Sequence, residues 1–455
     1  MMTPTISSRL SYLFTISILS LSCHLAGRAQ GKYVFPQEIQ PLTETAWAQW
    51  YPYSRYCPTI TIDSTEKHVY AGCAPLAMSQ MLKACRKPVI SERLNRTYDW
   101  NNMPSTLDTA NQQQQMAVAR LIRDCGIAAY TNYQQTASST KLNEVVAGLK
   151  QYFGMSKYMH IADRNQYRGI AGDRMWKEMI YEELNGGRPV IIRGQKGKNF
   201  AHVFLIDGCR DSLVHVNFGW GGKRNGYYDP DSLFGFTANQ RMIIGATTGN
   251  IQPRVRRIII EKAGQLHQLI TEKDWLTMHH IKIYGLLNRQ DIALLRQLAG
   301  GGQKGERNGR LATIDLTETA LISLPDSAFY GCSSLTYIAL PAMLPEVSNS
   351  AFQNCQLLNE VVLPAMLNRI RRAAFSGCFC LNDIQFPESL QTIDSNAFNS
   401  CNRLVDVTVP SGVKAVGNGA FANCKHLRSL SLAKTTRLLS NNITHNTKVK
   451  RITFR

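Results

Sequence analysis

From Cys73 onward, the small and apolar side chains Ala74, Ala77, Met78, Met81, Leu82 and Cys85 recur at i, i+3, i+4, i+7, i+8 and i+11. That is one continuous stripe of a 3.6-residue helix. Gly72 permits a sharp approach, and Pro75 lies in the first turn, where a missing N–H costs little. The pattern predicts Cys73 at or beside the N-cap. Further along, 201–206 and 213–217 are β-prone apolar runs flanking the turn-forming stretch 207–212. A turn centred between Cys209 and Arg210 sets His202 opposite Asn217. The two would then share one face of a hairpin, about 5 Å apart at Cβ. A slip of one residue would separate them.

The second half of the chain carries a different period. Cys332, Cys355, Cys378, Cys401 and Cys424 follow one another at a step of 23, as do Phe329, Phe352, Phe375, Phe398 and Phe421. Leu335, Leu358, Leu381, Leu404 and Leu427 keep the same step, and so do Ile338, Val361, Ile384, Val407 and Leu430. Fixed apolar positions at such a period predict a stacked solenoid with one short strand per coil. The cysteines then form a buried thiol ladder, because neither disulfides nor zinc explains a single Cys per coil at constant phase. Ile443, Asn446, Val449 and Ile452 continue the pattern one residue early, as a degenerate last coil. Residues 252–303 read as junction and cap: a strand near 255–260, helical segments near Leu266 and 291–298, then Gly300-Gly301-Gly302.

The chemistry concentrates in the first half. A thiol at a helix N-terminus meets the dipole and free N–H groups that favour a thiolate. With an imidazole to pair with it and an amide to hold that imidazole, Cys73, His202 and Asn217 make a cysteine-peptidase constellation. On the helix alone, a buried structural cysteine fits as well. His202 and Asn217 follow Cys73 by 129 and 144 residues, near the roughly 130–150 of papain-like enzymes.

Four ordered blocks resemble the streptopain family of bacterial cysteine peptidases, a branch of the papain clan. They are Thr45-Ala46-Trp47-Ala48-Gln49 with Tyr51-Pro52-Tyr53, then Gly72-Cys73, then His202-Val203 with Asp207-Gly208, and last His215-Val216-Asn217-Phe218-Gly219-Trp220-Gly221-Gly222. The resemblance implies Cys73 as nucleophile and His202 as its acid/base partner in a thiolate–imidazolium pair. It implies Gln49 as an oxyanion-hole donor beside the Cys73 N–H, Asn217 as the group orienting His202, and Trp220 as the cover over that contact. Ala201 and Phe218 stand where the family often has Gly and Trp. The consensus Ala-Phe-x-x-Cys-x-x-Leu-x-x-[Ile/Val]-x-[Leu/Val]-Pro resembles BspA-like leucine-rich repeats of bacterial surface proteins. The expected architecture is an α+β papain-like cysteine peptidase domain (30–250), a junction and cap (251–304) and a leucine-rich-repeat solenoid (305–455).

Composition refines this picture. The chain has 455 residues, 44% of them hydrophobic, too long for one compact domain. Arg9 before an apolar stretch from Leu10, with Gly27-Arg28-Ala29 ahead of Gln30, reads as a signal peptide over 1–29. Ser20-Leu21-Ser22-Cys23 is a poor lipoprotein box. The expected location is therefore secreted, or the bacterial cell surface or periplasm. No later stretch approaches a membrane span. Only about ten residues separate the signal peptide from the family match near Ile39, too few to fold as an inhibitory domain. Control by a separate protein inhibitor, by secretion itself or by the redox state of Cys73 is expected instead. The net charge of +19 comes without a nucleic-acid-binding motif. Its local bias is more informative: after Asp406 the sequence has no acidic residue but nine Lys and Arg. The expected partners are protein substrates and, on the repeats, a host or matrix protein or glycan. No cofactor or metal is called for. A rival class is a surface adhesin whose peptidase-like domain is inactive.

Overall fold

The computed structural model describes residues 32–62, 64–134, 138–246, 255–303, 306–440 and 442–454. The segments read as a signal peptide and a lipoprotein box lie outside the described residues. Among the described residues no helix is long and apolar enough to cross a membrane. Residues 34–455 form one unit with two hydrophobic cores.

The first core belongs to an α+β domain. Its helices are α1 (Cys73–Cys85), α2 (Gln112–Ala128), α3 (Leu142–Phe153) and α4 (Gly169–Asn185). Its antiparallel sheet contains β1 (His160–Asp163), β2 (Val190–Lys196), β3 (Phe200–Arg210), β4 (Leu213–Asn217), β5 (Gly226–Tyr228) and β6 (Ala238–Ile244), in the order β1-β6-β2-β3-β4-β5. The apolar stripe of α1 supplies Ala74, Ala77, Met78, Met81 and Leu82 to this core, where they join Ile191, Val203 and Leu205 from the sheet. α2 starts with a reciprocal cap in which the Asn111 side chain accepts from the Gln114 N–H and the Gln114 side chain accepts from the Asn111 N–H.

The hairpin register differs from the sequence expectation. Asp211-Ser212 makes the turn, with Asp211 in the left-handed region at φ 50°. Asn217 lies opposite Leu205, not His202. A bulge at Asp207 shifts the pairing further, from Ile206 against Val216 to Gly208 against His215. Both faces of this hairpin are buried, so the apolar pattern does not specify register there.

The second core is a parallel solenoid. Residues 256–260, 280–285 and 313–319 pair in parallel with 337–339 and 360–362, so the junction's own strands extend the sheet of the repeats. Coils contribute strands on two sides, not one. The second ladder runs through Glu346–Val347, Arg369–Ile370, Thr392–Ile393, Ala415–Val416 and Arg437–Leu438. Val347, Ile370, Ile393 and Val416 keep the same step of 23 and point to that second strand. Between the two ladders the phenylalanines stack with ring centroids 5.2–5.4 Å apart.

The thiols bond across coils. Cys355, Cys378, Cys401 and Cys424 donate to the carbonyls of Phe329, Phe352, Phe375 and Phe398 at 2.9, 3.1, 3.2 and 3.1 Å. All described cysteines are free. Cys401→Ala removes one such donor and leaves a small cavity. We expect a loss of about 1–3 kcal/mol, read as a lower urea midpoint for the solenoid transition.

One repeat position, two residues after the ladder cysteines from Cys355 onward, faces the α+β domain. Leu357 lines a small cavity with Asn143 and His160. Cys380 accepts from the Asn143 side chain at 3.5 Å. The Arg403 guanidinium is fully buried; it pairs with Glu144 and donates to the Ala128 carbonyl at 2.9 Å and the Gln151 side chain at 3.1 Å. It also lies 4.4 Å from the Tyr130 ring. His426 stacks flat on the same ring at 4.0 Å.

Candidate active site

Cys73 is the first residue of α1, with Gly72 as N-cap at φ 91°. Glycine is needed there twice over. The φ is left-handed, and a Cβ would come 3.2 Å from the Ser138 Cβ. Backbone N–H groups of Val203, Ala74 and Cys73 itself face the sulfur. Burial nevertheless dominates and pushes the thiol up, with those N–H groups and Arg193 pulling the other way.

Val203 is the residue after His202, so the N–H it turns to the sulfur sets Cys73 beside the imidazole's strand. The His202 ring is enclosed by aromatics: Trp220 stacks at 4.8 Å, with Phe204 and Phe236 at 5.8 Å, Phe200 at 6.2 Å and Phe218 at 6.4 Å. Gly194 pairs with His202 across β2 and β3. A Cβ on Gly194 would meet the Phe236 Cβ at 2.7 Å, so glycine is what lets that ring close over the histidine's surroundings. Burial lowers the imidazole pKa to about 4, and the Phe218 carbonyl opposes this. Burial thus disfavours the charged form of each group taken singly.

The Phe218 carbonyl lies 2.8 Å from His202 Nε2. A carbonyl only accepts, so Nε2 carries the proton and Nδ1 keeps its lone pair. Asn217 makes no hydrogen bond to the ring. Its Nδ2 donates to the Thr45 carbonyl at 2.6 Å and Thr43 Oγ1 at 3.3 Å, and its Oδ1 accepts from Gly219 N at 3.1 Å and Gln80 Nε2 at 3.4 Å. Asn217 therefore fixes the turn that presents Phe218 to His202. Asn225 adds a second hold by accepting from Phe218 N at 3.1 Å.

Behind that turn lies a buried polar network absent from the sequence expectation. The Thr43 hydroxyl donates to Asp207, which also accepts from His215 Nδ1 at 2.6 Å. Thr45 Oγ1 donates to Gln80 at 3.0 Å. A usable signal existed: Gln80 is seven residues after Cys73 on the same helix face, and Asp207 interrupts an apolar strand.

Gln49 is pinned from two sides. Its carbonyl accepts from Ala71 N at 2.9 Å, and the Trp47 carbonyl accepts from Gly221 N at 3.0 Å. The structure thus gathers Cys73, His202, Trp220 and the Gln49 segment, and sets Asn217 one step behind.

Residues 47–228 match the model of the Peptidase C10 family, and six copies of the BspA type leucine rich repeat region model fall within 307–455. The thiol protease/hemagglutinin PrtT of Porphyromonas gingivalis is 26% identical over 249 residues, 46% of this chain and 28% of that protein. Streptopain of Streptococcus pyogenes is 28% identical over 192 residues, 37% of this chain and 47% of that protein. The chain thus spans less than half the length of these curated relatives. Among solved structures, active wild-type interpain A cysteine protease of Prevotella intermedia is similar at 28% identity with a TM-score of 0.42, covering 47% of this chain and 97% of that one. The chain therefore carries a Peptidase C10, streptopain-like domain joined to BspA-type leucine-rich repeats.

Proposed function

We propose that this protein is a secreted or surface-exposed cysteine endopeptidase whose repeats bind substrate or a surface ligand. One observation carries the reading: the Cys73 sulfur at the first turn of α1 faces the N–H of Val203, while the adjacent His202 has committed Nε2 to Phe218 and left Nδ1 free. The names of the relatives, a thiol protease and streptopain, support it.

In the proposed reaction the Cys73 proton passes to His202 Nδ1 as sulfur attacks the scissile carbonyl carbon. The Gln49 side-chain amide and the Cys73 N–H hold the oxyanion. His202 then gives its proton to the leaving amine, the C–N bond breaks, and a thioester remains. Water, deprotonated by His202, releases the acid and restores the thiol. Trp220, stacked on His202, keeps bulk water from the imidazole. Residues 1–29 act as the signal peptide in this reading. The test is casein hydrolysis: wild type cuts and Cys73→Ala does not. Equal hydrolysis by both would remove the assignment.

Asn217 acts as a positioning residue. Asn217→Ala frees the Phe218 turn and lets the imidazole rotate without touching the groove. We expect kcat to fall by about 10²-fold while KM stays near the wild-type value. A change confined to KM would place Asn217 in substrate binding instead.

A further inference from the structure

We propose that the basic C-terminal coils of the solenoid form a docking surface for an acidic segment of the substrate polypeptide. This rests on the peptidase reading above. Lys425, Arg428 and Lys448 are exposed around the half-buried His426. Among the described residues no carboxylate is in ion-pair contact with these three cations. From residue 407 to the end the sequence offers no Asp or Glu. The nearest acidic group on the facing helix, Glu144, is already taken by Arg403. Burial and the charges of Lys448, Arg403, Arg428 and Lys425 together hold His426 neutral, its pKa lowered to about 4.

This patch is tied to the active-site side of the domain. His426 stacks on Tyr130. The next residue, Thr131, reaches with its methyl to within 3.7 Å of where a Gly72 Cβ would lie, and Ser138 donates to the Tyr70 carbonyl at 2.8 Å. The segment that walls Gly72–Cys73 is therefore the one clamped by the solenoid. Arg193 adds a positive charge near the sulfur. Unpaired cations of one sign attract an acidic stretch and raise its encounter rate. A polypeptide is the occupant favoured here, because the patch adjoins, through Tyr130 and Thr131, the residue that opens α1 beside Cys73.

The experiment uses the full chain and a casein-derived peptide that it cuts, extended at either end by Asp-Glu-Asp-Glu or by Asn-Gln-Asn-Gln. The acidic extension at one end should raise kcat/KM by about tenfold at low salt. The ratio should fall toward one in 0.5 M salt, with a Debye length of roughly 4 Å, and in Lys425→Gln/Arg428→Gln/Lys448→Gln. A wild-type ratio near one, or a ratio unchanged in the triple variant, overturns the proposal. In parallel, Cys73→Ala should bind the labelled acidic peptide by fluorescence anisotropy, and the triple change in that background should weaken it. If heparin, RNA or phosphatidylserine vesicles bind through these residues and the acidic peptide does not, the proposal is wrong. A wild type that cuts no peptide but binds the acidic one through these residues removes the peptidase reading and leaves the docking surface standing.

Discussion

His202→Ala is expected to lower kcat/KM on a peptide substrate by about 10⁴-fold, with the protein still folded. The imidazole is the group placed to take the Cys73 proton and later return it to the leaving amine, and burial keeps the unassisted thiol protonated. The wild-type pH profile follows from the same environment. His202 must be neutral to accept that proton, and its pKa is lowered to about 4, so activity is lost only as pH falls through that value. Cys73 is raised, so the alkaline limb lies above the ordinary thiol range. Between the limits the pair holds one transferable proton whichever atom carries it, and kcat/KM should be flat. Stopped assays across roughly pH 3.5–10 would trace both limbs. An acid limb at an ordinary histidine value near 6.5 would mean that the aromatic enclosure does not desolvate His202. A His202→Ala enzyme within about tenfold of wild type would remove it from the acid/base role.

Arg403→Ala should destabilise the protein by about 3–5 kcal/mol, the usual cost of removing one partner of a buried ion pair. The guanidinium is fully enclosed and serves Glu144, the Ala128 carbonyl, Gln151 and the Tyr130 ring at once. The loss falls on the contact between the two cores, so calorimetry should resolve one unfolding transition in wild type into two in the variant. Arg403→Met with Glu144→Leu should recover much of the loss, because an apolar pair of similar volume leaves no charge unpaired. A single transition at the wild-type temperature in Arg403→Ala would show that the contact contributes little.

Much of this was legible from residue spacing. The stripe behind Cys73 announces α1, and the step of 23 announces a solenoid, because in each a single period recurs over several turns or coils. The hairpin was legible as an element but not in register. Asp207 inserts a bulge and Asp211 takes a left-handed turn, and neither leaves a trace in an apolar run that is buried on both sides. His202 and Trp220 could be assigned one site from their blocks, yet the group that meets Nε2 is the Phe218 carbonyl. A backbone atom has no signature in the residue alphabet. The burial of the imidazole was hidden for a related reason: five aromatic rings drawn from separate places in the chain enclose it, and only the fold assembles them.

The repeat position two residues after each ladder cysteine reads Ser334, Leu357, Cys380, Arg403 and His426. Inside the solenoid the coils are interchangeable, since each supplies the same Phe, Cys and Leu. Along this column they are not. Excising one 23-residue coil ahead of Arg403 would reseal the Phe stack and thiol ladder, yet shift Arg403 one coil spacing away from Glu144 and carry His426 to where Arg403 had been. The column works as the bitting of a key, so the number of coils before Arg403 is set by α3 and Tyr130. Coils added beyond His426 would lengthen the array without disturbing the lock.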